Sequence, residues 1–186
     1  MTKTFAALPR SYGGTLAVTI NDRDPLVIAR NLMICVLAAS IDDADQASEC
    51  ITHIWYSAFI RQADLDLLQA HVLPLAEEVC LKIADKPSTN LQAKKWQIRK
   101  CSLRLIMSKH AWQLLLACLK ARPEITPSQA QALRLTAINK PEDQDNLDLG
   151  TLRRSSVHWV SRQRLRDDGM VLPFGHSGKE FVIPNP

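Results

Sequence analysis

Asn21, Asp22 and Asp24 form the densest group of polar side chains suited to holding a small ligand, and they follow directly on an alternating run, Thr15 to Ile20. In open α/β sheets, ligands bind beyond the carboxyl ends of strands. A carboxylate at such a position accepts two hydrogen bonds, which suits the hydroxyls of a nucleoside ribose. The competing reading of the same residues is structural. Asp24 caps the helix that Pro25 opens, and Asp22 pairs with Arg23 or Arg30. No Gly-rich phosphate or cofactor loop accompanies the group.

Other constellations are thinner. Cys50 and His53 are spaced i, i+3 and would share a helix face, but zinc wants three or four ligands and no second pair has matching spacing. His53 and Ser57 lie at helical spacing, without the strained turn that exposes a nucleophile. Basic residues cluster at Lys94, Lys95, Arg99, Lys100 and Arg104, and again at Arg153, Arg154, Arg162, Arg164 and Arg166. Only Trp96 and Trp159 lie nearby as aromatics, so solvated faces explain these clusters better than nucleic-acid binding. Trp55, Trp96, Trp112 and Trp159 sit among aliphatic residues and read as core anchors.

The elements that would position these residues can be read from periodicity. Thr4 to Leu8 reads as the tail of a helix stopped by Pro9. Leu16, Val18 and Ile20 alternate with Ala17 and Thr19, which predicts a strand over 15–20. Pro25 to Ala39 is apolar on nearly every side and predicts a helix packed on a sheet and on other helices. A second helix runs from Ala44 to Ile60. A third pattern, capped by Asp64, carries Leu65, Leu68, Val72, Leu75, Val79 and Ile83, with Pro74 forcing a kink or two abutting helices. Trp96 to Met107 suits a short strand or a helix. Ser108 caps a helix over 109–120, and Thr126-Pro127 opens another to about Ile138. Residues 139–150 read as an acidic, flexible connector and 151–166 as a basic helix. Asp168-Gly169 turns the chain into two short β segments, Met170 to Leu172 and Glu180 to Ile183.

Bulk composition bounds the class. The chain has 186 residues, 46% of them hydrophobic, enough for one domain with a real core. Its net charge of +4 does not by itself point to nucleic acid. The five cysteines, Cys35, Cys50, Cys80, Cys101 and Cys118, are odd in number and lie in apolar stretches, which predicts reduced thiols in the cytosol or nucleus. The longest apolar run, Leu26 to Ala39, is broken by Arg30 and Asn31 and falls short of the roughly 18 residues of a membrane span. The first ten residues hold no signal-peptide apolar stretch.

One predicted strand feeding an apolar helix leaves an architectural gap, because an unpaired inner strand would bury unsatisfied backbone groups. The expectation is a chain cut at both ends, lacking a preceding strand. Several short motifs bear on this: Val18-Thr19-Ile20-Asn21-Asp22-Arg23-Asp24-Pro25 with Ala29-Arg30-Asn31, then His53-Ile54-Trp55-Tyr56-Ser57, then Leu103-Arg104-Leu105 with Trp112, and finally Asp168-Gly169 before Leu172-Pro173-Phe174-Gly175-His176. In this order, over nearly the whole chain, they resemble the fungal domain of unknown function 4470. That domain opens larger fungal proteins, some with a MYND-type zinc finger, and is related to the N-terminal part of dynein axonemal assembly factor three.

The resemblance implies an α/β fold similar to class I methyltransferases. This chain lacks the first strand and Gly-Asp turn with which relatives begin, and it has no Cys/His cluster of MYND spacing. The expected architecture is therefore α/β, helix-rich, an incomplete Rossmann-like sheet with a short C-terminal β segment. The leading functional expectation is a non-catalytic interaction or scaffold domain of an intracellular protein, docking a protein partner or the remainder of its own polypeptide on an open sheet edge. The rivals are an S-adenosylmethionine-dependent methyltransferase or its ligand-binding remnant, with Asp22 at the ribose, and a weak nucleic-acid binder using the basic helix. No metal or resident cofactor is expected under the leading reading.

Overall fold

The structure, a computed structural model, describes residues 7–9, 11–120, 126–138, 160, 165–172 and 177–186. Its first helix, α1, spans Pro25–Ser40. The Asp24 carboxylate accepts the Leu26 N–H at 2.8 Å, so the Asp-Pro pair starts the helix as its chemistry requires. Ala29, Leu32, Met33, Val36 and Leu37 are buried, a stripe at helical spacing, whereas Leu26 and Val27 at the N-terminal end are exposed. Helix α2 (Ala44–Tyr56) follows after a short turn, is capped by Asp43 and packs on α1. It stops four residues before the predicted end, and Phe59–Ile60 instead form a two-residue strand, β1.

Helices α3 (Gln62–His71) and α4 (Leu73–Lys82) abut at Val72, where Pro74 has no N–H to carry one helix through. Next comes a hairpin, β2 (Leu91–Ile98) and β3 (Cys101–Ser108), joined by Arg99-Lys100. The ambiguous stretch 96–107 is thus strand on both sides of a tight turn. Its first arm begins earlier than alternation alone suggested. Ser108 then caps α5 (Lys109–Leu119) by accepting the Ala111 N–H, and α6 spans Pro127–Ile138.

The core lies where α1 meets its neighbours. Helix α1 touches α2, α3, α5 and both hairpin strands. Val36, Leu37, Leu68, Trp112, Leu115 and Leu119 are fully buried in one cluster, and Trp96 and Met107 close it from the inner face of the hairpin. Trp96 and Trp112 meet edge-on with centroids 5.9 Å apart.

The described residues form two sheets, each a two-stranded antiparallel pair, β2–β3 and β1 with β4 (Ile183–Pro184). Two sequence expectations are corrected here. Residues 15–20 are not a strand. Each is exposed, and none makes a backbone ladder bond to a described residue. Alternation reports which residues share a face, but a strand also needs a neighbour to pair with, and no described segment lies alongside. Met170 to Leu172 is likewise not a strand; Gly169, at φ 72°, ends a short helical stretch over 165–168 and the chain passes on through side-chain and single backbone contacts. The helix tail over 4–6, the connector 139–150, most of the basic helix 151–166 and Pro173 to His176 lie outside the described residues.

Candidate functional site

Asn21, Asp22 and Asp24 are exposed, on the loop that leads into α1. The Asp22 carboxylate accepts the Asp24 N–H at 2.9 Å, and Asp24 in turn caps α1. Both acids are thus engaged in shaping the local backbone. No residue from 11 to 20 is buried beside them.

The chain's most concentrated chemistry lies between α2 and α3. His53 and Asp64 are buried, and His53 Nδ1 lies 3.0 Å from Asp64 Oδ2. Asp64 is at the third position of α3, one turn before Leu68 on the helix's apolar stripe. Its carboxylate also accepts the Arg61 N–H and Nε at 3.0 and 3.2 Å and, at its other oxygen, Arg61 Nη2 at 3.0 Å. Arg61 Nη1 reaches onward to Glu49 at 3.0 Å. The expectation that Asp64 caps α3 is corrected: Arg61 is the cap residue, and Asp64 reaches back to its backbone.

Burial alone would push the Asp64 carboxyl up, but the hydrogen bonds from His53 and Arg61 outweigh it and hold it at about 2. The same anion raises Arg61 further and, after burial itself, helps push the Cys50 thiol up to about 12. Cys50 Sγ donates weakly to the Asp64 carbonyl at 3.9 Å. A protonated, buried thiol is a poor nucleophile and a poor metal ligand. Among the described residues, no three His, Cys, Asp or Glu side chains converge to hold a metal ion.

The C-terminal segment closes over this cluster. Phe181 is buried with its ring edge-on to His53, centroids 4.8 Å apart, and under the Arg61 guanidinium at 6.0 Å. Trp55, expected as a core anchor, is instead exposed and stacks on Tyr56, because it lies on the outer side of α2. Asn185 donates to the carbonyls of Ile54 and Ser57, at the end of α2. Ser57 Oγ accepts the Val171 N–H at 3.0 Å, so the hydroxyl is engaged with backbone and not with His53. The dyad therefore acts as a tie between α2, α3 and the chain's last residues.

Of the first basic cluster, Lys94 is paired with Glu78, and Arg99 reaches Asp42 and the Ser40 carbonyl. Lys95, Lys100 and Arg104 face outward on the hairpin. In the second cluster, Arg153, Arg154, Arg162 and Arg164, with Trp159, lie outside the described residues. Sequence reasoning missed Asp64 as the hub. The available signal was an acid in register with Leu68 on an otherwise apolar stripe, which cannot be buried without partners.

The model of a family described as a domain of unknown function (DUF4470) matches residues 1–60. The match covers the exposed 15–20 segment, the α1–α2 hairpin and β1, while the motifs from Leu103 onward lie beyond it. No curated protein and no solved structure matches the chain.

Proposed function

We propose that this chain is a protein-interaction domain that binds by strand addition, taking up an extended segment of a protein partner alongside Thr15–Ile20. One observation carries the reading. Leu16, Val18 and Ile20 are 40%, 46% and 42% exposed, and residues 15–20 make no backbone ladder with any described residue. Six uncharged residues, rich in β-branched types and free of Pro and Gly, whose backbone groups make no bond to a described residue except at the Thr15 carbonyl, which accepts the Tyr12 hydroxyl, are a template for another strand.

The surroundings support it. Leu26 and Val27 lie at the start of α1, and Trp55 and Tyr56 at the end of α2. All four are exposed. Exposed aromatic and aliphatic side chains of this size fit an interface. In this reading the partner's strand supplies the ladder neighbour that Thr15–Ile20 lacks among the described residues.

The test is hydrogen exchange with a displayed library of extended peptides as the partner source. The 15–20 amides are expected to exchange fast in the free chain and to become protected by the selected peptides. Val18→Pro removes one donor and is expected to abolish binding without lowering the melting temperature. Slow exchange at 16–20 in the free monomer, or selected peptides indifferent to Val18→Pro, would overturn the reading.

A further inference from the structure

We infer that the outer face of the β2–β3 hairpin is a docking surface for an acidic, partly apolar polypeptide segment. The inference is independent of strand addition at Thr15–Ile20, since different residues carry it.

The hairpin is two-faced. Gln92, Lys94, Trp96 and Ile98 of β2, with Leu103, Leu105 and Met107 of β3, turn toward the core. The opposite face carries Leu91, Ala93, Lys95 and Gln97 across from Ser108, Ile106, Arg104 and Ser102. All but Ser108 are exposed, Leu91 at 73% and Ile106 at 46%. This face is graded along its length. Aliphatic side chains occupy the end near α5, the Lys95–Arg104 pair follows, and Gln97 and Ser102 lie between it and the Arg99-Lys100 turn.

The cations are arranged against the hairpin's own stability. Lys95 and Arg104 are directly opposed. Counting back from the turn, where Ile98 faces Cys101, the 95–104 pair falls in the register without mutual backbone bonds, where side chains are closest. Like charges at such a site repel. The nearby acids are committed elsewhere: Glu78 to Lys82 and Lys94, and Asp42 to Arg99. Lys95, Arg104 and the adjacent turn residue Lys100 have no acidic partner among the described residues. An incoming carboxylate would relieve the repulsion at once.

The same face favours polypeptide over nucleic acid. The hairpin's one aromatic, Trp96, points into the core, leaving no platform on which bases stack. Aliphatic side chains stand beside the cations instead. The outward backbone groups of Lys95 and Arg104 lie on the two edges of a two-stranded sheet, available to an extended chain. The occupant is thus an extended segment with its carboxylates toward the turn and its apolar side chains toward Leu91 and Ile106.

Fluorescence anisotropy on the whole chain tests this. The probe is a short labelled peptide, Val-rich in one half and Glu-rich in the other. Poly-glutamate and a single-stranded oligodeoxynucleotide serve as polyanion controls. The mixed peptide is expected to bind about tenfold tighter than poly-glutamate. Lys95→Glu should weaken it about tenfold, while its melting temperature holds or rises because an opposite-charge pair replaces a like-charge one. Ile106→Ser should weaken the mixed peptide and leave poly-glutamate unchanged, and Val18→Pro should affect neither. Unchanged affinity in Lys95→Glu, or an oligonucleotide that binds tighter than the mixed peptide with a steep salt dependence, would overturn the inference.

Discussion

Asp64 and His53, eleven residues apart in sequence, meet at 3.0 Å in the interior and join α3 to α2. The carboxylate is fully buried, and among the described residues its remaining hydrogen bonds come from Arg61, through backbone N–H, Nε and Nη2. One anion thus organises two helices and the cation over Phe181.

Removing that anion should be costly. Asp64→Ala leaves a buried His53 and a half-buried Arg61 without their shared acceptor, and is expected to destabilise by about 3–5 kcal/mol. Asp64→Asn keeps shape and one acceptor and should cost less. Urea denaturation of both variants measures this; a loss under about 1 kcal/mol in Asp64→Ala would show that the tie is dispensable.

Acid should undo the same tie. The folded Asp64 carboxyl is held at about 2 against an ordinary 3.8. A folded value below the unfolded one stabilises the native state at pH above 3.8, and that stability fades as pH falls toward 2. The gap is worth about 2 kcal/mol. Urea midpoints followed down the acid limb should fall more steeply in the wild type than in Asp64→Asn, and parallel limbs would refute the assignment.

The thiols should react in order of environment. Cys101 is exposed at the start of β3, whereas Cys50 is fully buried with its thiol held at about 12. Alkylation followed by peptide mass spectrometry is expected to label Cys101 first and Cys50 only on unfolding. Early labelling of Cys50 would mean that the α2–α3 seam opens in the native state.

Arg99 is the described non-glycine residue with positive φ, at 51°. Its guanidinium bonds the Ser40 carbonyl and Asp42, both at 2.7 Å, tying the hairpin turn to the end of α1. Arg99→Ala keeps the strained backbone and loses the tie, and should cost about 1–2 kcal/mol. Arg99→Gly relaxes the backbone and should fall within about 1 kcal/mol of wild type. Thermal melts of the two variants decide whether backbone strain or the tie dominates, and equal melting temperatures would argue that strain is negligible.

Local chemistry was legible in the sequence wherever neighbours in the chain decide the outcome. Asp24-Pro25 starts α1, Pro74 divides α3 from α4, and Ser108 opens α5, because caps and proline act within one turn of their own position. Helix α1 reads as apolar on nearly every side, and the tertiary structure buries one stripe of it while Leu26 and Val27 stay exposed. Tertiary structure alone decided what depends on partners distant in sequence. Thr15–Ile20 and Leu91–Ile98 both have strand chemistry, but only the second has a described neighbour to accept its hydrogen bonds. Asp64 reads as a helix cap until Arg61 and His53 are seen around it, and Phe181 and Asn185 become structural only where the last residues lie against α2. Pairing, burial and charge compensation are properties of groups brought together in space, so their energies are set when the chain folds back on itself.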